Sequence, residues 1–553
     1  MSSSEAGLDV VVVGSGAAGM TAALTAARRG LSVVVVEKAA TFGGSTARSG
    51  GGVWIPGNSV LARAGLRDTP GAARAYLAHV VDGHASQARQ HALLEFGPSM
   101  LDFLMTHSPL RFAWARGYPD YYPHAPGGQP LGRTVEPRPL DGNLLGDELG
   151  RLNPPYLAAP GSMAITARDY RWLSLGTRHP RAVAAAARVA LRALAGRARG
   201  ARLLTMGQAL AAGLRVGLQR AGVPVWLETP LLDVQVDNGR VAGVWVTRIG
   251  SRTLLRARRG VVLAAGGFER NEAMRKQYQR APIGTEWTVG ALANTGDGIE
   301  AGQRLGAALD LMDDAWWGPS IPAPGGAYFC LAERNLPGSI MVNGAGQRYV
   351  NECLPYVDAV HAMYDTDRPD APTIPSWLIA DQRYRDRYLF AGRGPRQPLS
   401  RRWYAAEILF REPTLAALAT RIGVPPEAMT STVDRFNGFA RGGVDEDFGR
   451  GESAYDRYYG DPTNTPNPCL GELVKPPFYA VQIVPGDLGT KGGLRTNERA
   501  RVLREDGTPI PGLYAAGNTS ASVMGHSYAG AGATIGPAMT FGYVAALDLA
   551  DPS

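Results

Sequence analysis

DVVVVGSGAAGMTAALTAARRGLSVVVVEKAATFGG, residues 9–44, is the stretch that decides the fold. Four valines at 10–13 lead into Gly14-Ser-Gly-Ala-Ala-Gly19, an Ala-rich segment follows, and a second valine run at 33–36 ends at Glu37. Short apolar runs bounded by glycines are typical of buried strands. The stretch therefore predicts a strand, a glycine turn, a helix and a second strand.

Each glycine of the turn has a predicted role in binding a dinucleotide. Gly14 permits the tight turn, Gly16 lets the backbone approach a pyrophosphate, and Gly19 lets the helix lie close to the sheet. The first N–H groups of the helix then point at the anion. Glu37 follows Gly14 by 23 residues, where a carboxylate accepts hydrogen bonds from ribose hydroxyls. We therefore predict a dinucleotide site, with an accidental glycine-rich turn as the alternative.

Length and composition indicate a globular protein of two or more domains. The chain has 553 residues, of which 45% are hydrophobic. It contains no long uncharged apolar run that predicts a membrane span, and residues 1–7 lack the features of a signal peptide. We expect a cytoplasmic protein. Cys330, Cys353 and Cys469 lie far apart without CxxC spacing, so they indicate neither a disulfide framework nor a metal site.

The net charge of +8 comes with many more arginines than lysines. The Ala/Arg-rich segment from Arg181 to Arg202 is predicted to be helical. Such a helix can contact anionic lipid or nucleic acid, although a solvated helix face is the more frequent outcome. No nucleic-acid motif accompanies it. We expect no nucleic-acid partner, and a peripheral membrane contact stays open.

Three segments follow the dinucleotide motif. The Gly43-Gly44 doublet before Ser45 would let the backbone pass close to a bulky planar ligand. The pattern from Thr69 to His107 is helical. The segment Phe112 to Gly128 is too rich in Pro and Gly for a helix and too aromatic for a solvated loop. We predict that it forms one wall of an apolar pocket, with a sealed core as the alternative.

The middle of the chain is predicted to return to the first sheet. Pro130 to Pro224 holds two predicted Ala-rich helices and is interpreted as a covering insertion. Alternation from Val225 to Val246 predicts a small antiparallel sheet with a turn at Asn238-Gly239. Gly260 to Phe268 is a buried strand that ends in glycines, and we expect it to rejoin the parallel sheet.

We divide the chain into a domain built from both ends and a second domain inserted between them. Residues 1–297, with a helical insertion around 130–224, and residues 485–553 are predicted to form a Rossmann-like α/β domain. Its last part comprises a strand at 511–518 and a helix from Thr534 to Ala550. Residues 298–484 are predicted to form an α+β substrate domain, with helices near 403–420 and 426–440. The site should then face the cleft between the domains.

A helix at the predicted domain boundary runs through Ile299 to Ala307. Thr295 or Asp297 is its predicted N-cap, because both side chains accept backbone N–H groups at such positions.

Together these segments resemble the flavoproteins of the succinate dehydrogenase/fumarate reductase superfamily. Within it the resemblance is greatest to the bacterial 3-ketosteroid dehydrogenases, and especially to the Δ1 enzymes. It covers nearly the whole chain. Its most specific motifs are Gly14–Gly19 with Glu37, Gly43-Gly44-Ser45, Thr295–Gly298, Gly512–Asn518 and Ser527–Ala538.

The resemblance implies FAD, with its adenosine at Glu37, its pyrophosphate at the first helix and its ring against the C-terminal glycines. The N-terminus of the helix near Thr534 would stabilise negative charge on the reduced ring. Ser45 stands near the position where succinate dehydrogenases carry a histidine linked to flavin, so we expect non-covalent binding. The predicted cofactor residues are Gly14, Ser15, Gly16, Ala17, Ala18, Gly19, Glu37, Lys38, Gly43, Gly44, Ser45, Ala265, Gly266, Asp297, Gly517, Asn518, Gly532, Thr534 and Ile535.

The resemblance also implies an FAD-dependent oxidoreductase acting on a CH–CH bond. A 3-ketosteroid would lose a hydride to flavin N5 and a proton to a tyrosine, which creates a C1–C2 double bond. In Δ1 enzymes a tyrosine hydroxyl and a glycine N–H four residues later bind the ketone, and Tyr528 and Gly532 have that spacing.

The base is assigned by local pattern to Tyr356 and its helper to Tyr121, since a second hydroxyl can stabilise a phenolate. Tyr349 is the alternative base, and Tyr118 and Tyr122 are alternative helpers.

Other functions remain open at this point. They are a Δ4 dehydrogenase, a fumarate-reductase-like flavoprotein acting on another enone or ketone, and a non-catalytic flavin electron-transfer protein. Tyr, Trp and Pro loops favour an apolar ketone over a dicarboxylate. We expect a steroid as the substrate and an external electron acceptor such as a quinone.

Overall fold

A computed structural model describes residues 7–156, 163–176 and 178–551 of the chain. The strands are β1 Leu8–Val13, β2 Val33–Val36, β3 Val53–Trp54, β4 Phe112–Trp114, β5 Thr134–Pro137, β6 Leu140–Asp141, β7 Leu203–Leu204, β8 Val225–Trp226, β9 Leu231–Asp237, β10 Arg240–Arg248, β11 Ser251–Leu263, β12 Leu309–Asp310, β13 Ala315–Ile321, β14 Tyr328–Phe329, β15 Ser339–Val342, β16 Ser376–Asp381, β17 Leu409–Glu412, β18 Phe478–Thr490, β19 Gly493–Leu494, β20 Arg501–Leu503 and β21 Pro509–Ala515.

The α-helices alternate with these strands. They are α1 Ala17–Arg28, α2 Gly44–Arg48, α3 Ser59–Arg63, α4 Pro70–Val81, α5 Gln87–His107, α6 Ala167–Leu173, α7 Pro180–Ala198, α8 Met206–Arg220, α9 Glu272–Tyr278, α10 Asp297–Arg304, α11 Tyr356–Thr366, α12 Gln382–Arg387, α13 Arg401–Ala405, α14 Leu415–Arg421, α15 Pro426–Gly442, α16 Ala454–Tyr459 and α17 Ile535–Ala550. In the described ranges, no helix has the length and apolar composition needed to cross a membrane.

The first sheet contains strands from both ends of the chain. Its order is β20-β21-β11-β1-β2-β8, and β1 pairs in parallel with both β2 and β11. The C-terminal β21 lies parallel to β11, and α17 packs on α1 so closely that a Cβ added at Gly542 would lie 2.3 Å from the Ala18 carbonyl oxygen. The predicted α/β, Rossmann-like fold is confirmed.

The antiparallel meander predicted around Asn238-Gly239 is present and leads directly into this sheet. Strands β9 and β10 pair across the Asn238-Gly239 turn, and β10 then pairs with the first half of β11. The second half of β11 pairs with β1. One strand of 13 residues therefore belongs to both layers.

The second sheet is formed by strands between residues 315 and 490. It is antiparallel in the order β14-β13-β18-β16-β15, with β17 also paired to β18. β18 spans Phe478–Thr490 and so crosses the predicted limit at residue 484, whereas β12 and β19 form a separate pair. The domain limits themselves stay a prediction.

Two helix predictions differ from the structure. The helical pattern from Thr69 to His107 is divided into α4 and α5, because Asp82 and Gly83 both have left-handed backbones, with φ of 47° and 76°. The segment near 403–420 forms α13, β17 and α14 instead of one helix. Leu409–Glu412 pairs with the edge of β18, so a strand partner distant in sequence overrides the local pattern.

The region between Pro130 and Pro224 contains the two predicted Ala-rich helices, α7 and α8. The interpretation of this region as a covering insertion is wrong for α8. Eleven of its residues are buried, and a Cβ added at Gly217 would lie 3.0 Å from Leu24 of α1. α8 is therefore part of the packed core. Six residues of this region, 157–162, and residue 177 lie outside the described ranges.

Candidate active site

One large cavity lies at the carboxyl ends of the parallel strands. Its volume is about 950 Å³, at the upper end of the range for ligand sites. Val13, Val36 and Ala264, which end or follow β1, β2 and β11, line its inner end. Open α/β sheets bind ligands at this edge. The cavity extends from the dinucleotide motif to a cluster of tyrosines.

The glycine turn shapes the inner end of the cavity. Gly14 has a φ of 105°, and a Cβ there would lie 2.2 Å from the Ala264 carbonyl oxygen. A Cβ at Gly19 would lie 2.0 Å from the Gly14 carbonyl oxygen, so only glycine lets α1 start this close to β1. At Gly16 an added Cβ would meet only Thr46 Oγ1, at 3.8 Å. The space beside Gly16 is the cradle that a pyrophosphate requires.

Glu37 is oriented toward the same end by three hydrogen bonds. Its Oε2 accepts from the Ser15 backbone N–H at 3.0 Å and the Ser15 hydroxyl at 2.7 Å, and its Oε1 accepts from the Ala39 N–H at 2.9 Å. The carboxylate lies at the cavity wall. It has lone pairs left for a ribose hydroxyl.

The predicted N-cap of α10 is wrong. The N-cap is Gly296, with a φ of 85°, and no side chain caps the helix. Asp297 instead accepts a 2.7 Å hydrogen bond from Lys38 Nζ, and Thr295 also bonds to Lys38. The Lys38–Asp297 ion pair therefore joins the end of β2 to α10 at the cavity wall. The helix ends at Arg304, before the predicted Ala307.

Ser45 belongs to a polar group that the sequence did not reveal. Its Oγ accepts from the Ala291 N–H at 2.9 Å and from Asn294 Nδ2 at 3.0 Å. Asn294 also donates to Glu269 Oε1 at 2.6 Å. Burial, and next the nearby Asp487, raise the pKa of Glu269 to about 7. Asn294 directly precedes the Thr295–Gly298 motif. That position could have indicated from the sequence that Asn294 belongs to the site.

The C-terminal glycine segment closes the cavity from the other side. Gly517, Asn518 and Thr534 line it, and α17 begins beside them at Ile535. Trp316 Nε1 donates to Asn518 Oδ1 at 3.2 Å, which fixes the amide. The predicted cofactor residues that line the cavity are Gly14, Ser15, Gly16, Ala17, Ala18, Glu37, Lys38, Gly44, Ser45, Ala265, Gly266, Asp297, Gly517, Asn518, Gly532, Thr534 and Ile535.

Gly19 and Gly43 do not line the cavity and act through packing. Gly43 has a φ of 102°, and a Cβ there would lie 2.9 Å from the Ala47 Cβ. It therefore allows the sharp entry into α2, which carries Ser45 and Thr46. Thr46 Oγ1 accepts the Ala17 N–H at 3.0 Å, so α2 lies against the start of α1.

Tyr121 and Tyr356 meet at the far end of the cavity, although 235 residues separate them in the chain. The Tyr121 hydroxyl donates to the Tyr356 hydroxyl at 3.0 Å. Tyr118 lies 3.4 Å from the Tyr121 hydroxyl, and the Tyr459 hydroxyl donates to Tyr118 at 3.2 Å. Four hydroxyls thus form a chain that ends at Tyr356. Tyr459 was not predicted as a site residue, although the tyrosines at 455–459 indicate an aromatic cluster in that segment.

Two of the alternative tyrosines point elsewhere. The Tyr122 hydroxyl donates to Asp358 at 2.9 Å, and the Tyr349 hydroxyl pairs with Ser376 at 2.7 Å. Neither of them lines the cavity, whereas Tyr118, Tyr121 and Tyr356 do.

Tyr528 and Gly532 lie beside Tyr356 at the far end of the cavity. The rings of Tyr356 and Tyr528 lie 5.3 Å apart between centroids. The Tyr528 hydroxyl accepts from Thr534 Oγ1 at 3.1 Å and lies beside the Gly532 backbone N–H. Gly532 has a φ of 90°, and a Cβ there would lie 2.2 Å from the Gly52 carbonyl oxygen. The close fit fixes the direction of this N–H.

Burial controls the acidity of these tyrosines. It is the main cause that raises the pKa of Tyr356 well above its usual value, and nearby Tyr528 and Tyr118 raise it further. The hydrogen bond from Tyr121 opposes this rise. Burial also raises the pKa of Tyr528, so this side chain is a hydroxyl donor at neutral pH.

The outer walls are apolar. Of the predicted aromatic wall at 112–128, Ala115, Tyr118 and Tyr121 line the cavity. The other apolar lining residues include Met163, Ile165, Tyr170, Phe329, Leu331 and Tyr459. No histidine of the described residues lines it; His526 instead bonds to Asp314 through Nδ1, at 3.2 Å. The walls fit a polycyclic apolar ligand better than a dicarboxylate.

Known proteins are similar to this chain over most of its length. Residues 9–535 match the family model described as an FAD binding domain. The chain is 58% identical to the 3-oxosteroid 1-dehydrogenase of Mycolicibacterium smegmatis, over 98% of this chain and 97% of that protein. The 3-oxosteroid 1-dehydrogenase of Mycobacterium tuberculosis strain H37Rv is also 58% identical, over 98% of both chains.

A solved structure agrees in fold across the full length. The 3-ketosteroid Δ1-dehydrogenase of Sterolibacterium denitrificans, in complex with 1,4-androstadiene-3,17-dione, has a TM-score of 0.94 and 43% identity. The alignment covers 99% of this chain and 100% of that one. The cofactor is FAD, and the open space beside Gly16 has room for its pyrophosphate. The chain belongs to the 3-oxosteroid 1-dehydrogenase family of FAD-binding flavoproteins.

Proposed function

We propose that the protein oxidises a 3-ketosteroid by introducing a double bond between C1 and C2 of ring A. One observation carries this proposal: Tyr356 lies beside the Tyr528–Gly532 pair inside one cavity that continues to the glycine turn. A ketone and the carbon next to it therefore have a donor pair and a base within reach. FAD, when bound, supplies the acceptor for the hydride from C1.

Tyr528 and Gly532 hold the ketone oxygen in this proposal. Removing the C2 proton moves negative charge to that oxygen, and two aligned donors share it. Removing one such donor typically costs about 2.7–4 kcal/mol of transition-state stabilisation. The Thr534 hydroxyl donates to the oxygen of Tyr528, which leaves the phenol hydrogen free to point at the ketone.

Tyr356 takes the C2 proton in this proposal. A tyrosine is a weak base at neutral pH, and burial makes its charged form less favourable still. The hydrogen bond from Tyr121 stabilises the phenolate, and Tyr118 and Tyr459 continue the chain of hydroxyls behind it. Tyr121 is therefore the helper in this assignment.

The electron acceptor and the compartment complete the proposal. We assign an external acceptor such as a quinone, because the reduced cofactor must be reoxidised before the next turnover. The three cysteines are buried free thiols, which fits a reducing compartment such as the cytoplasm. We propose non-covalent FAD, since Ser45 has no nucleophilic nitrogen to offer.

The test uses the purified protein and a 5α-3-ketosteroid whose ring A is saturated. Without oxygen, addition of the steroid should bleach the flavin spectrum, and NMR should place the new double bond at C1–C2. A double bond at C4–C5 would make the protein a Δ4 enzyme. A colourless protein, or a flavin spectrum that the steroid leaves unchanged, would refute the proposed reaction.

A further inference from the structure

Arg334 is a fully buried arginine whose charge lacks a carboxylate partner. Its exposed fraction is 0%, and it forms no ion pair with any residue of the described ranges. The Glu352 carboxylate pairs with Arg348 and Arg450 instead. Burial raises the pKa of Glu333, the preceding residue, which favours its neutral form. Because buried charges are normally paired, an arginine of this kind calls for an explanation.

Arg334 holds the segment that leads into the proposed base. Its Nη1 donates to the backbone carbonyls of Glu352, at 2.5 Å, and Leu354, at 2.8 Å. Leu354 lies two positions before Tyr356, the first residue of α11. Its Nε and Nη2 find no acceptor in the described part of the chain. The guanidinium is therefore fixed against the base segment while two of its nitrogens keep free N–H groups.

The charge of Arg334 acts on the tyrosines behind Tyr356. Burial is the main cause that raises the pKa of Tyr118, and Arg334 opposes that rise. Burial also raises the pKa of Tyr455, and Arg334 again opposes it. The Tyr455 ring lies 4.7 Å from the Tyr121 ring, between centroids. Since an opposite charge favours the ionised form of a group, this cation favours a phenolate within the hydroxyl chain.

The other cations near the chain are paired or reach water. Arg450 donates to the Arg334 carbonyl, but its own charge is paired with Glu352. Arg168 and Arg171 of α6 act on Tyr458 from the opposite side, and they are exposed and partly exposed, so water screens them more. The remaining titratable groups around Arg334 and Tyr455 are acids, phenols and thiols, namely Cys330, Glu333, Tyr349, Cys353, Asp358, Tyr384 and Asp456.

We propose that Arg334 is a positioning residue for the base, which holds the segment before Tyr356 and supplies the positive charge that offsets a phenolate in the chain of Tyr356, Tyr121 and Tyr118. This inference rests on the proposed function, because only a Tyr356 that removes a proton needs that charge. A purely structural clamp would need the N–H groups on Nη1 but not their charge. The two roles therefore differ in what a neutral donor at residue 334 can replace.

The test compares Arg334→Gln with Arg334→Lys in the FAD-loaded, full-length protein. Gln keeps N–H groups for the two carbonyls but loses the charge, whereas Lys keeps the charge. The measurement is exchange of the C2 hydrogen of the steroid in deuterated water as a function of pH. Without the cation the phenolate is less stable, so in Arg334→Gln the increase in exchange with pH should move upward by about one pH unit, with an unchanged KM for the steroid. In Arg334→Lys the profile should stay at the position of the parent protein.

The matched control is Arg385→Gln. Arg385 is also buried, at 3% exposure, and donates to a backbone carbonyl at 2.8 Å. It too forms no ion pair in the part of the chain that the structure describes. Its charge acts on Tyr384, Tyr404 and Tyr479 rather than on the hydroxyl chain. Arg385→Gln should therefore keep the pH profile of the parent protein.

Each outcome decides between the two roles of Arg334. Equal pH profiles for Arg334→Gln and Arg385→Gln would overturn the charge role. A shift in Arg334→Lys as large as that in Arg334→Gln would reduce Arg334 to a structural clamp. If Arg334→Gln does not retain FAD, Arg334→Lys decides alone: a profile like the parent's supports the charge role, and a shifted profile overturns it.

The parent protein separates this inference from the proposed function. If the parent neither exchanges the C2 hydrogen nor bleaches its flavin with the steroid, the proposed function itself fails. If the parent turns over normally while the variants at residue 334 show unshifted profiles, only the role of Arg334 is refuted.

Discussion

Replacing Tyr121 by Phe tests the chain of hydroxyls directly. The change removes the oxygen that donates to Tyr356 at 3.0 Å. It keeps the ring, whose centroid lies 4.7 Å from that of Tyr455 and 5.1 Å from that of Tyr528. The aromatic packing therefore survives, and the variant should fold and bind FAD like the parent.

The expected loss follows from the charge on the base. A hydrogen bond to a charged group contributes about 1.5–3 kcal/mol, which corresponds to about 10–150-fold in the rate of proton removal. Without the hydrogen bond from Tyr121, the pKa of Tyr356 moves further upward. Because the reaction needs the deprotonated form of Tyr356, the increase in rate with pH should move to higher pH in this variant.

Two measurements check this expectation. Anaerobic single-turnover bleaching of the flavin reports the overall reaction, and exchange of the C2 hydrogen in deuterated water reports proton removal alone. The matched control is Tyr122→Phe, since that hydroxyl bonds to Asp358 outside the cavity. If Tyr121→Phe matches this control in both rate and pH profile, the helper role of Tyr121 is wrong.

Three further predictions concern neighbouring groups. Tyr356→Phe should abolish C2 exchange with FAD still bound, whereas Tyr349→Phe should retain it; equal exchange in both variants would move the base elsewhere. Gly532→Ala places a Cβ 2.2 Å from a backbone carbonyl oxygen. Steady-state turnover should therefore fall by about 100-fold or more. An unchanged kcat would contradict the role of the Gly532 N–H. Arg133→Met leaves the carboxylate of Asp120 buried without its ion-pair partner. Chemical denaturation should therefore show a loss of about 3–5 kcal/mol in the free energy of unfolding. No loss would mean that the pair is not buried in solution.

The dinucleotide half of the site was predictable because its determinants are local. Gly19 acts on the Gly14 carbonyl of the same strand–turn–helix, and Glu37 follows at a fixed distance along the chain. The roles in the tyrosine half came from the family resemblance, and Tyr356 and Tyr121 were assigned to them by local sequence pattern. No periodicity relates Tyr121 to Tyr356, and the sequence left Tyr349 as an alternative until the structure placed it against Ser376.

Two of the errors have a common physical origin. The segment at 403–420 was expected to be one helix, but Leu409–Glu412 hydrogen-bonds to β18, about 70 residues later. Thr295 and Asp297 were expected to cap a helix, but Lys38 binds both side chains from about 260 residues away. In each case a long-range partner outweighs a local preference.

The position of β21 and α17 has a consequence for synthesis of the protein. α1 is complete at Arg28, but the helix that packs on it begins only at Ile535. At about 5–20 residues per second, the ribosome needs about 25–100 s to make the chain between them. During that time the apolar surface of α1 that faces α17 lacks its native cover. Nascent chains of this protein are therefore expected to need chaperone protection, and chains that stop before α17 should be degraded rather than accumulate.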